Sequence, residues 1–304
     1  MTPARILVTG AGGFVGGHLV PALRAAFPDA SLTLVGTAEL DITDTPAVHA
    51  LVARVRPEAC VHLAAISAIG AARQDPALAW RVNLLGTLAL AEALRKLDAL
   101  LVYPSSAEIY GASFRAGHPL DETAAAAPQN TYAATKAAAD LALGAMAADG
   151  LRVIRLRPFN HTGPGQTEAF VVPAFAAQAA RIASGLQPPV LKVGNLDAMR
   201  DFLDVRDVCA AYVAAIAHAE TLPSAAVLNI ASGTPRRIGD VLQDLLRLAG
   251  VTPLIEPDPA RMRPSDIPIA AGDAAAAQVK LGWLQTIPWE TTLRDVLADW
   301  QRRV

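Results

Sequence analysis

Tyr132 and Lys136 stand four residues apart in an alanine-rich run from Thr131 to Met146. Alanine is the best helix former, so the run should be helical. Residues four apart share a helix face, which lays the phenol and the ammonium over one another. A cation about 4 Å from the phenol is worth about 4 kcal/mol at an effective dielectric of 20, enough to draw its pKa from about 10 toward neutrality. Such a phenol can hand a proton to a sugar or alcohol oxygen, or take one back. Many helices carry a Tyr-x-x-x-Lys by chance, so its meaning depends on what the other elements bring to it.

Those elements start with a short apolar strand at residues 5–9, followed by Gly10-Ala-Gly12-Gly13-Phe14-Val-Gly16-Gly17 and a helical pattern from His18 to Phe27. Strand, glycine turn and helix in that order are the context of a dinucleotide site, because the backbone turns tightly and the pyrophosphate rests on the helix N-terminus. The spacing Gly10, Gly13, Gly16 is GxxGxxG instead of GxGxxG. Ser31 to Val35 reads as a second strand, after which an acid for an NAD ribose is expected. The chain has Gly36-Thr37, then Glu39 and Asp41, and no arginine for a 2′-phosphate, which leaves NADH or NADPH open.

A helix from about Thr45 to Val55, a buried strand from Ala59 to Ala65, and a helix holding Asn83 and running to about Leu97 come next. Leu100 to Pro104 is a strand that delivers Ser106 and Glu108 at its carboxyl end, where ligands of open α/β sheets bind. Leu151 to Leu156 is a further strand, and a turn-rich loop, Arg157 to Gln166, breaks the pattern. Beyond it, helices over 172–184, 207–219 and 236–249 alternate with strands over 190–193 and 227–231. Strands alternating with helices imply an α/β fold, a doubly wound parallel sheet of Rossmann type with a smaller C-terminal substrate region. The dinucleotide half is expected over 1–160 plus about 204–231, and the substrate half over about 161–203 and 232–304.

Composition narrows the partners. The chain of 304 residues carries 26 basic and 28 acidic side chains, net −2, without a block of like charge, which excludes nucleic acid and membrane surfaces as expected partners. Cys60 and Cys209 lie in apolar surroundings and read as buried thiols, and no metal site is expected. After Arg5 the apolar run is only Ile6-Leu7-Val8, too short for a signal, so a cytoplasmic enzyme is expected.

In these motifs the chain resembles the extended short-chain dehydrogenase/reductase family over nearly its whole length. The likeness is carried by Thr9-Gly10-x-x-Gly13-Phe14-x-Gly16, His62-Leu-Ala-Ala65, Asn83-x-x-Gly86-Thr87, Ser106 through Tyr110-Gly111, and Tyr132-x-x-x-Lys136. Arg157 to Gln166, Val193 to Asp207 and Arg263 to Pro268 are similar to the GDP-6-deoxy-D-mannose reductases. The resemblance implies that Gly10, Gly13, Phe14 and Gly16 line the pyrophosphate, that Asp41 and Ile42 flank the adenine, and that Leu63, Ala64 and Ala65 lie beside the ribose. Ser67 is placed near cofactor or substrate, and Lys136 on the nicotinamide ribose. Asn160, Arg200 and Arg263 are expected to hold the GDP half of a GDP-sugar, since a guanidinium fork matches phosphate oxygens; the rival reading of the arginines is an ion pair with Asp201 or Asp266.

The reaction so implied is NAD(P)H-dependent reduction of GDP-4-keto-6-deoxy-D-mannose to GDP-D-rhamnose. Tyr132 would act as acid, Ser106 as second donor to the keto oxygen, and Glu108 as a base or a hydroxyl holder. GDP-mannose 4,6-dehydratase, a 4-epimerase or a reductase giving 6-deoxytalose are the alternatives, and a non-catalytic dinucleotide binder stands further off because Tyr132 and Lys136 are both intact. A homodimer is expected through the helices around Asn83 to Leu97 and Thr131 to Met146, which are apolar on more than one face.

Overall fold

Period-2 burial and period-3.6 burial alternate along the chain and build a doubly wound α/β fold, seen in a computed structural model that describes residues 1–262 and 267–304. In β1 (Arg5–Thr9), Ile6 and Val8 enter the core on one side of the sheet and Leu7 on the other. α1 (Phe14–Ala26), β2 (Ser31–Val35), α2 (Thr45–Val55) and β3 (Ala59–His62) follow. Asp44 starts α2 by accepting from the Ala47 N–H at 3.0 Å.

α3 (Ile69–Gln74), α4 (Pro76–Trp80), a π-helical turn at Arg81–Gly86 and α5 (Thr87–Arg95) come next. From Pro76 to Arg95 the helix is continuous, and it is the one helix among the described residues with the length and hydropathy of a bilayer span. Half of it is buried inside the fold, packed on α6, as befits a core helix. β4 (Leu100–Pro104), a 3₁₀ segment at Ala107–Ala116, α6 (Thr131–Ala148) and β5 (Val153–Pro158) lead to β6 (Asn160–Thr162), α7 (Val171–Ala183), β7 (Val190–Val193) and β8 (Met199–Asp204). α8 (Val205–Ala217), β9 (Ala226–Ile230), β10 (Pro235–Arg237), α9 (Ile238–Ala249), β11 (Leu254–Pro257), β12 (Ile269–Ala270), α10 (Ala275–Leu281) and α11 (Trp289–Arg303) complete the chain.

Six parallel strands form the central sheet in the order β2-β1-β3-β4-β5-β9. The order reverses between β1 and β3, and in open sheets the crevice at that reversal takes the ligand. α1 and α8 cover one face; α2, α5 and α6 cover the other. A second body gathers α7, α9 and α11 around Phe175, Leu191, Phe202, Leu242 and Trp300, with β10-β8-β12 in one small sheet and β7 pairing β11. β6 pairs β8, so the chain that leaves β5 passes from the large sheet into the smaller body within two residues.

One buried ion cluster ties α6 to the sheet. Alternation along β5 puts Arg155 and Arg157 on one face, and both reach Asp140 of α6, at 3.1 and 3.0 Å. Asp140 is fully buried, and the guanidiniums spend their other donors on the Ala225 carbonyl, the Tyr110 hydroxyl and the Glu122 carbonyl.

Candidate active site

A cleft of about 1070 Å³ opens at the carboxyl ends of β1, β3 and β4, large for a small-molecule site. Its lining includes Gly10, Gly13, Phe14, Gly16, Asp41, Ile42, Leu63, Ala64, Ala65, Ser67, Ser106, Glu108, Tyr132, Lys136 and Asn160. Arg200 is not among its lining residues; its guanidinium donates to the carbonyls of Met199 at 2.8 Å and Ile267 at 3.2 Å. Arg263 and Asp266 lie outside the described residues.

Asn130 caps α6 by accepting from the Ala133 N–H at 2.9 Å, which fixes the helix start two residues before Tyr132. Lys136, one turn on, is buried and donates to the Pro104 carbonyl at the end of β4 at 2.6 Å, with its ammonium 4.2 Å from the centre of the Tyr103 ring. Burial lowers its pKa to about 7, against an opposing pull from Asp140. Tyr132 does not follow the expectation of a lowered pKa. Burial, helped by the charge of Glu108, pushes the phenol up to about 12, although a hydrogen bond from Ser106 works the other way. The spacing of the pair is as expected, but the lysine's donor is engaged by β4 and desolvation outweighs its field.

The buried ammonium has a consequence for stability. An amine whose folded pKa is depressed binds fewer protons folded than unfolded between about 7 and its unfolded value, so stability rises with pH across that window. Lys136→Met is therefore expected to be more resistant to urea than the parent at pH 6, with the gap shrinking as pH rises from about 7 to about 10. A pH-independent gap would mean that the ammonium is not desolvated.

Ser106 precedes the 3₁₀ segment, where its hydroxyl oxygen accepts from the Glu108 N–H at 3.1 Å, and its hydroxyl opposes the upward shift of the Tyr132 phenol. Glu108 faces the cleft and receives a long contact of 3.4 Å from the Asn130 amide. The floor is braced by neutral groups. His62, with its pKa lowered to about 3 first by burial and then by Lys136, bridges the Thr9 hydroxyl at 2.6 Å and the Thr87 hydroxyl at 3.0 Å. Asn83, within the π-helical turn, holds Ile66 by both backbone groups and donates to Thr135, which in turn donates to the Tyr132 carbonyl. It is a satisfied core amide that fixes the start of α6 relative to the loop after β3.

The glycine turn fits a dinucleotide. Gly10 has φ +67°, and a Cβ there would lie 2.6 Å from the Ala64 nitrogen and 2.7 Å from the Leu63 carbonyl carbon. A Cβ on Gly16 would lie 2.2 Å from the Ala11 oxygen. Gly13 caps α1 with no side-chain bond, so the first-turn N–H groups are left for an anion. Gly10→Ala is expected to weaken dinucleotide binding at least about tenfold in a fluorescence titration, since a left-handed alanine costs about 1–2 kcal/mol before the contact with Ala64 is counted. Gly17→Ala, whose Cβ would meet nothing within 4 Å, is the control.

Residues that the sequence reading did not single out complete the far wall: Thr162, Gln166 and the start of α7 from Phe170 to Pro173. The Thr162 hydroxyl and the Gln166 carbonyl oxygen are buried without a hydrogen-bond partner, whereas the Gln166 amide nitrogen is held by the His161 carbonyl at 3.2 Å. Buried polar atoms of this kind want a ligand or water. Their segment was legible; which of its side chains turn inward depends on β6 pairing β8, a contact between distant residues.

Residues 6–231 match the model of the NAD dependent epimerase/dehydratase family. GDP-6-deoxy-D-mannose reductase of Pseudomonas aeruginosa is 39% identical over 303 residues, 99% of this chain and 98% of its own. dTDP-4-dehydrorhamnose reductase of Streptomyces griseus is 30% identical over 98% of this chain and 90% of its own. Among solved structures, RMD from Pseudomonas aeruginosa complexed with NADPH superposes with a TM-score of 0.89 at 36% identity, covering 99% of this chain and all of that one. UDP-glucose 4-epimerase of Thermus thermophilus with NAD gives 0.85 at 27% identity, over 99% and 100%.

Proposed function

The chain belongs to the NAD dependent epimerase/dehydratase family, the extended short-chain dehydrogenase/reductases, and from that premise we propose that it reduces the 4-keto group of GDP-4-keto-6-deoxy-D-mannose to give GDP-D-rhamnose. The observation that carries the reading is that Ser106, Tyr132 and Lys136 line the same cleft as the glycine turn from Gly10 to Gly16. When bound, reduced nicotinamide supplies the hydride. As negative charge grows on the keto oxygen, Tyr132 gives up its proton and Ser106 turns its hydroxyl to the same oxygen.

A phenol at about 12 is protonated at neutral pH and so stands ready as an acid, which is what reduction of a ketone asks of it. Lys136, one turn on from Tyr132, lines the same cleft with its ammonium held by the Pro104 carbonyl. Asn160, on the substrate side of the cleft, is the holder of the GDP half best supported by its position; Arg200 and Arg263 belong to the same proposal on the strength of their segments alone. In this reading β6 to β8 and the residues after 231 form the substrate half.

The test is to supply GDP-4-keto-6-deoxy-D-mannose or GDP-mannose and follow the absorbance of NADH and NADPH. Stoichiometric oxidation with the keto sugar alone, and GDP-D-rhamnose as product, is the expected result. Dehydration of GDP-mannose without net cofactor consumption would replace the reading by that of a 4,6-dehydratase, which the place of Glu108 in the cleft would suit.

The same proposal includes a homodimer. Trp80 and Leu85 of the continuous helix and Leu141 of α6 are 38, 57 and 62% exposed on neighbouring helices, an apolar face that a second copy would cover. Sedimentation at twice the chain mass, lost in Leu85→Glu, is the expected outcome.

A further inference from the structure

We propose that the cleft takes NADH in preference to NADPH, and that the carboxylate of Glu39 makes the choice. The proposal rests on the dinucleotide reading of the cleft and concerns the end of it opposite Tyr132.

β2 ends at Val35 beside the glycine turn, where the Ala11 N–H donates to the Val35 carbonyl at 3.1 Å. An acid directly after such a strand would accept from the adenosine ribose, yet the next residues are Gly36 and Thr37. The backbone then doubles back: the N–H groups of Glu39 and Leu40 both donate to the Gly36 carbonyl, at 3.2 and 3.0 Å. This turn returns the Glu39 side chain to the strand end, where Oε2 accepts from the Gly36 N–H at 2.7 Å. One carboxylate oxygen is anchored there, and the other is left for a hydroxyl donor. Gly36 is also shaped to this approach, since a Cβ on it would lie 3.2 Å from the Glu39 carboxylate.

Charge around this end of the cleft points the same way. Gly36 through Ile42 all line it, and Asp41 adds a second carboxylate, held ionised by the Thr43 N–H and hydroxyl at 2.8 Å each. Between Arg24 and Arg54 the chain has no lysine or arginine. Arg81, exposed on the π-helical turn, exerts a pull on Asp41, and Lys136 lies at the nicotinamide end. A 2′-hydroxyl can donate to Glu39. A 2′-phosphate, carrying a charge of about −1.5 to −2, would instead meet two carboxylates.

The experiment is a titration of the intact protein with NADH and with NADPH, read by nucleotide fluorescence without substrate. NADH is expected to bind about tenfold tighter, the effect of one screened like-charge contact. Glu39→Gln keeps the side chain's shape and its bond to Gly36; it is expected to close most of that gap, and raised salt to narrow it. Arg81→Ala is expected to leave NADPH affinity unchanged. Equal or tighter NADPH binding by the parent, an unchanged gap in Glu39→Gln, or loss of NADPH binding in Arg81→Ala would overturn the proposal. Failure of both dinucleotides to bind would overturn the cofactor reading itself, a result distinct from binding without discrimination.

Discussion

Tyr132→Phe is expected to lower turnover of the keto sugar by about 10²–10⁴-fold while dissociation constants for dinucleotide and GDP-sugar stay within about twofold. The ring fills the same space, so α6 and its packing should be undisturbed. What is lost is the proton that neutralises the developing alkoxide. Ser106 keeps its tie to the Glu108 N–H at 3.1 Å and can still donate one hydrogen bond, which accounts for a residual rate. Stopped-flow measurement of nicotinamide oxidation separates the chemical step from product release. A variant that kept more than about a tenth of the parent rate would sink the assignment of Tyr132 as the acid.

Asp140→Asn should lower unfolding free energy by about 3–5 kcal/mol. The side chain is fully buried and is the carboxylate shared by Arg155 and Arg157, whose side chains are only 13 and 9% exposed. An amide of the same shape leaves two guanidiniums desolvated without a counter-charge. Urea unfolding at pH 7 measures the loss, and a change below about 1 kcal/mol would mean that the cluster is solvated in the folded protein. Because the charge of Asp140 also sustains Lys136, the same variant should reduce turnover even where it is fully folded.

Local signals carried the central sheet. Apolar runs and turn residues placed β1, β2, β4, α2 and β7 within a residue or two, because strand period and turn chemistry act over short distances. β8 was invisible for the opposite reason. Its sequence, Met-Arg-Asp-Phe-Leu-Asp, looks like surface, yet Asp201 is buried, accepting from the N–H groups of Ser232, Gly233 and Gly272. Asp204 likewise pairs with Arg206 and Thr292. Apart from Arg206, two residues from Asp204, the partners of these acids lie thirty to ninety residues away, and no short window of sequence contains them.

The Tyr132–Lys136 pair shows the same limit in miniature. A spacing of four puts Tyr132 and Lys136 on one face of α6, but the electrostatics follow from what β4 presents, the Pro104 carbonyl and the Tyr103 ring. Burial then reverses the direction of the phenol's shift. Spacing is a property of the helix; proton affinity is a property of the surroundings.

The last strand of the large sheet, β9, pairs with β5 from Ile154 opposite Ala226 to Pro158 opposite Ile230. Everything from β6 to α8 lies between them in the chain. During synthesis β5 therefore leaves the ribosome as an edge and stays one until residues 226–230 have emerged. Long-range pairing of this kind is slow, and an unpaired edge invites pairing with another nascent chain. Arg155 and Arg157 stand on that strand, and Arg155 also donates to the Ala225 carbonyl just ahead of β9. Asp140, already made when β5 is translated, is the partner that cancels them. The cluster that holds the finished protein together can thus form between α6 and β5 before the last strand arrives.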